Sequence, residues 1–235
     1  MGLFDKKFCD FCGEKIGLLG NRKLADGNMC KKCFSAASPY LTGRKEFTVE
    51  DMKQHLAYRE ANKAIVATIN PTTTYGTNTK VYLDENNSQW FVTADKNWKN
   101  SNPDIMTLDQ VTGVVVDVDE NRTEIKRDIG GGKKESYTPA RYSYSYTFYV
   151  AINVHTPWFS EIKFRVGDTA SSTTSPEYKY AEEQGKKIEE ALTKIREKVA
   201  QGLTPKTAIT CPFCQATTIP DANGRCEFCG GAISA

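Results

Sequence analysis

The chain has 235 residues, 39% of them hydrophobic, and a formal net charge of +2, which suits one modest core and excludes a protein that holds nucleic acid by basic excess alone. No apolar run reaches the length that a membrane-crossing helix needs. The eight cysteines fall into four CxxC hooks near the two ends, where short stretches require a metal or disulfides to complete a small core.

The first two hooks, Cys9-Asp10-Phe11-Cys12-Gly13 and Cys30-Lys31-Lys32-Cys33, are separated by about 17 residues, the spacing of a four-cysteine structural zinc site. The pair Cys211-Pro212-Phe213-Cys214 and Cys226-Glu227-Phe228-Cys229 repeats the device near the other end. Close pairing of all the cysteines and no apolar leader favour Zn2+ over disulfides, with two ions per chain and a reducing, cytoplasmic address. Between the first hooks, Ile16, Leu18, Leu19 and Leu24 are expected to pack over the metal as the small core of the ribbon.

Thr48-Val49-Glu50-Asp51 has the form of a capping box and opens a connector helix expected to end near Asn62, with Met52 and Leu56 on one face and His55 at the surface. From Lys63 the period changes to two. Strands are expected at 64–69, 81–83, 90–93, 111–118, 123–127, 142–154 and 162–166, with turns at Asp119-Glu120-Asn121-Arg122 and at the Gly130-Gly131-Gly132-Lys133-Lys134 tip. The alternation Tyr142, Tyr144, Tyr146, Phe148, Val150, Ile152, Val154 predicts one apolar face along the whole strand. That glycine tip lacks the order of a phosphate loop. Ser175-Pro176-Glu177 then starts a long helix with the stripe Ala181, Ile188, Leu192, Ile195 and Val199, ended by Gly202.

The fold class expected is mainly β (α+β): residues 1–43 a zinc ribbon, 44–62 a connector helix, 63–202 a seven-stranded antiparallel barrel with a C-terminal helix, and 203–235 a second ribbon. Strand order with one closing helix resembles a PH-like or GRAM-like barrel. Trp90-Phe91-Val92-Thr93 followed by Ile105-Met106-Thr107-Leu108-Asp109-Gln110-Val111 resembles a step between strands in bacterial members of that group. The motif Cys9 to Gly13, with Leu24-Ala25-Asp26-Gly27 ahead of the third cysteine, resembles a family of uncharacterised bacterial zinc-ribbon proteins, a resemblance that implies no activity.

A saturated cysteine set leaves no open metal position and no attacking thiol, and His55 and His155 have no recognisable partner, so an enzyme is not expected. The expected role is a non-catalytic scaffold or adaptor for a protein or peptide. Two alternatives stay open. Arg22, Lys23, Lys31 and Lys32 give the first ribbon a basic edge suited to nucleic acid, and Lys133 and Lys134 suit lipid headgroups at the barrel.

Overall fold

The structure is a computed structural model that describes residues 6–202, 209–210, 214–218 and 228–230, with side chains in the long C-terminal helix described as far as Lys194. It is mostly sheet with a few helices. The N-terminal segment holds two hairpins, β1 (Lys7–Phe8) with β2 (Lys15–Ile16) and β3 (Asn21–Lys23) with β4 (Asn28–Cys30), followed by the short helix α1 (Lys31–Phe34). Cys9, Ile16, Leu24, Met29, Cys30, Ala37 and Met52 form its core.

The helix α2 (Val49–Thr68) starts with the expected capping box: the Thr48 side chain accepts from the Asp51 amide, and the Asp51 carboxylate accepts from the Thr48 amide. It runs past Asn62, so residues 64–68 are helical rather than the first strand of a barrel. The reason is in its buried face, Met52, His55, Arg59, Asn62 and Val66, which has helical spacing but a polar middle. His55, expected at the surface, is fully buried. The end of α2 packs Val66 and the following Ile69 against Phe91 and Ile105.

Two antiparallel sheets follow. One has the order β5 (Thr73–Gly76), β6 (Lys80–Asp84), β7 (Gln89–Thr93), β8 (Met106–Thr107), with the short helix α3 (Trp98–Ser101) before β8. In the other, β10 (Lys134–Val154) lies between β9 (Val111–Asp128) and β11 (Glu161–Ala170). They share one core of Val81, Leu83, Trp90, Val92, Val150, Ile152, Ile162 and Val166 with Ala181, Ile188 and Leu192 of α4 (Pro176–Gly202). Full burial of an Ile or Leu is worth about 1.5–3 kcal/mol, so this helix stripe is a principal closure of the core. Ile195 and Val199, expected on the same stripe, lie outside the described side chains.

The closed seven-stranded barrel expected from the sequence is not formed among the described residues. A single helical turn, Leu108–Gln110, with Leu108 buried, stands between β8 and β9 and interrupts the ladder there. The residues expected to turn at 119–122 instead pair with β10, Asp119 opposite Thr147 and Arg122 opposite Tyr144, so two expected strands are one. Backbone pairing with β10 outweighs the turn preference of Asp and Asn. The tip at Gly130, Gly131 and Gly132 is a turn, as expected, with all three at positive φ.

From Tyr146 back toward Lys134, β10 loses β11 as a neighbour and, among the described residues, pairs with β9 alone. The result is a two-stranded arm. The apolar face expected along the whole of β10 is buried from Phe148 to Val154, whereas Tyr142 and Tyr144 are each 39% exposed on the arm.

Candidate metal centre

The first hook is the loop of the β1–β2 hairpin. The Cys9 amide donates to the Glu14 carbonyl at 2.9 Å and the Gly13 amide to the Cys9 carbonyl at 2.8 Å. Gly13 sits at φ 73°, a left-handed conformation that glycine adopts without the Cβ penalty. The second hook joins β4 to α1, where the Cys30 sulfur caps the helix by accepting from the Cys33 amide at 3.3 Å. Asp10 ties the hooks together, its carboxylate accepting from the Asn28 amide at 2.6 Å.

Cys9, Cys12, Cys30 and Cys33 place their Sγ atoms within 4.8 Å of one another. The Cys12 and Cys30 sulfurs are 3.8 Å apart, and sulfurs held at about 2.3 Å around a tetrahedral Zn2+ stand about 3.8 Å from each other. Cys9 and Cys30 are buried, Cys33 is partly covered and Cys12 is exposed. Burial pushes the Cys9 thiol up, but the amides of Cys30, Phe11 and Cys12 outweigh it and bring it to about 6. Burial and the neighbouring sulfurs raise Cys33 well above the ordinary thiol range. Crowded thiolates oppose one another, and a divalent cation is the charge that lets all four ionise together. The residues present fit a structural zinc ion.

The loop before β4 connects this centre to α2. Asp26 accepts from the Val49 amide at 2.7 Å, adding a carboxylate at the helix N-terminus, where negative charge is favoured. A Cβ on Gly27 would collide with Val49 and lie 2.7 Å from Asp10, so only glycine lets the loop approach so closely. Residues 7–55 match the family model Domain of unknown function (DUF4428). That span contains the four sulfurs, the Asp26 and Gly27 cap and the first turns of α2 as far as His55. No curated protein and no solved structure matches the chain.

Cys214 and Cys229 are solvent-exposed, and Cys211 and Cys226 fall outside the described residues. His155 is exposed.

A second polar cluster, missed in the sequence, lies beside the metal segment. Arg59 is bonded to Asp104 at 2.7 Å, with side-chain exposures of 8% and 0%, and to the carbonyls of Asn102 at 2.5 Å and Ala36 at 3.3 Å. Burial raises the Asp104 carboxyl, with Arg59 and the Ser38 hydroxyl partly offsetting it. Ser38 donates to Asp104 at 2.8 Å, and Asn62 bonds the Pro103 carbonyl and the Ile105 amide. The sequence signal for this cluster was the helical spacing of His55, Arg59 and Asn62 between Met52 and Val66.

His55 accepts from the Ser38 amide through Nε2 at 3.0 Å, so its proton sits on Nδ1, which has no hydrogen-bond partner among the described residues. The ring meets Trp158 edge-on at 4.9 Å. Burial, aided by the charge of Arg59, lowers the His55 pKa from 6.5 to about 4. Below pH 6.5 the unfolded chain takes up a proton that the folded chain refuses. This share of stability is therefore fully present above about pH 6.5, is lost as pH falls toward about 4, and amounts to up to about 3 kcal/mol. Urea titrations of the zinc-loaded chain between these limits should show a stability slope in the wild type that flattens in His55→Gln; equal slopes would remove His55 from the account.

Proposed function

We propose that the chain is a non-catalytic cytoplasmic adaptor, built on two structural zinc ribbons, that receives a protein or peptide on its β9–β10 arm. In this reading the body is PH-like: four antiparallel strands, then three, then one helix against the shared core. Reduced cysteines suit the cytoplasm, and no described helix is long and apolar enough to cross a membrane. Enzymatic chemistry is disfavoured because four cysteine ligands saturate a tetrahedral ion.

The arm carries the functional reading. Tyr142 and Tyr144 continue the core-facing side of β10 beyond the core, across from Glu124 and Arg122. The Arg122 guanidinium lies 4.3 Å from the Tyr142 ring centroid, and that of Arg141 lies 4.6 Å from Tyr137. Exposed tyrosine and arginine side by side offer large contact area at low entropic cost.

A second zinc ion at Cys211, Cys214, Cys226 and Cys229 is supported by backbone correspondence. Strands β12 (Ile209–Thr210) and β13 (Thr217–Thr218) pair Ile209 with Thr218 and Thr210 with Thr217. Relative to the hook they enclose, that is the register of Lys7 with Ile16 and Phe8 with Lys15. The residue after the hook, Gln215, has φ 59°, and Gly230 after Cys229 has φ 70°, both on the left-handed side as Gly13 is.

Capture from nuclease-treated lysate of the native cell, with wild type and a Tyr142→Ala, Tyr144→Ala variant, tests the adaptor reading. A retained protein weakened about tenfold or more by the double change is expected. Tight single-stranded RNA binding at physiological salt, lost on reversing Arg22, Lys23, Lys31 and Lys32, would replace it with the nucleic-acid reading.

A further inference from the structure

Leu18 and Leu19 are 88% and 90% exposed. They are the central residues of a turn closed by the Gly20 amide donating to the Gly17 carbonyl at 3.0 Å, carried between β2 and β3. The sequence leads one to expect them inside, but Ile16, Leu24, Met29, Ala37 and Met52 already fill the small core. Two aliphatic side chains are thus displayed at an exposed turn, and Phe8, 55% exposed, is on the preceding hairpin, paired with Lys15.

Cations flank this turn along the chain on both sides. Lys6, Lys7, Lys15 and Lys23 are exposed and Arg22 is half-exposed. Residues 6–33 contain seven Lys or Arg against three Asp or Glu, and one of the three, Asp10, is engaged by the Asn28 amide. Four thiolates around Zn2+ subtract about two charges, which leaves the segment positive.

We propose that the zinc ribbon docks on an anionic lipid surface, with Leu18 and Leu19 inserted at the headgroup boundary and the surrounding lysines and arginine against the headgroups. An exposed aliphatic turn flanked in the chain by cations on long side chains matches a soft, diffuse negative surface, and insertion with electrostatic attraction supplies the two signals that stable peripheral binding needs. A folded partner would instead have to offer a socket for both leucines and place carboxylates around it. The zinc fixes the two hairpins between which the turn is held, so the apolar tip is presented without an ordering cost at binding. This surface is separate from the β9–β10 arm and goes beyond the adaptor reading by giving the adaptor a membrane address.

Sedimentation of the full, zinc-loaded chain with vesicles of phosphatidylcholine and phosphatidylglycerol at about two to one tests it. Binding is expected to these vesicles and not to phosphatidylcholine alone, and to weaken as salt is raised. Removing each leucine should weaken it about tenfold, so Leu18→Ser with Leu19→Ser should abolish sedimentation while zinc content stays unchanged. Lys15→Glu with Lys23→Glu should weaken binding by roughly twentyfold or more. No binding to anionic vesicles, equal binding to neutral ones, or binding that survives the serine changes would overturn the proposal. Should the serine variant lose zinc, Leu19→Trp decides: quenching by brominated acyl chains supports insertion, and its absence on bound vesicles overturns it.

Discussion

Arg59→Ala is expected to lower the free energy of unfolding by about 3–5 kcal/mol, the range for breaking one side of a buried ion pair. The change would leave the Asp104 carboxylate, which has no exposed surface, with the Ser38 hydroxyl it already accepts from but without the guanidinium. It would also free the carbonyls of Asn102 and Ala36. Those groups belong to the loop before β8 and to the segment after α1, so one side chain joins the four-cysteine part of the chain to the first sheet. Removing both charges with comparable volume, as in Arg59→Met with Asp104→Leu, should cost less than either single truncation, because the desolvation penalty disappears with the pair. Urea unfolding of the zinc-loaded variants measures this. A loss below about 1 kcal/mol for Arg59→Ala would mean the pair contributes no more than a surface contact.

Chelation of zinc should have the largest effect. Binding free energies of structural zinc in small modules are about 10–16 kcal/mol, and the binding energy is folding energy where the apolar core is small. Here that core is seven buried residues, two of them ligands. Amides of β1 to β4 and of the first half of α2 should lose hydrogen-exchange protection together. The effect should reach further, because Ala36 and Ser38 hold Arg59 and His55 through bonds that depend on the four-cysteine segment staying folded. Aromatic contacts of Tyr40 with Phe159 and of Phe47 with Trp158 cross the same boundary. The two sheets are therefore expected to remain paired but to unfold at lower denaturant. Unchanged exchange over residues 7–55 after complete metal removal would contradict a zinc-dependent fold.

The legible features were those that repeat or are local. Cysteine spacing located the four sulfurs that come together, and Thr48 with Asp51 marked the start of α2 to the residue. Alternation located the core half of β10, and the stripe Ala181, Ile188, Leu192 located α4. What failed depends on long-range pairing or on polar burial. Residues 64–68 look like a short strand because the run is apolar, but helix propagation from a strong cap carries through them. Asp119 to Arg122 look like a turn because their side chains favour one, and nothing local reveals that β10 continues opposite them. His55 looks like a surface histidine because its buried neighbours, Arg59 and Asn62, are themselves polar. Leu18 and Leu19 mislead in the opposite sense, since hydrophobicity alone does not disclose that the small core is already full.

The central claim, a zinc ion held by Cys9, Cys12, Cys30 and Cys33, is tested most directly by the zinc content of the purified wild-type chain against Cys30→Ser. Loss of one of the four sulfurs should remove one equivalent of zinc per chain and leave any ion bound through Cys211, Cys214, Cys226 and Cys229 in place. Identical zinc content in the two proteins, or a wild type that binds none, would contradict it.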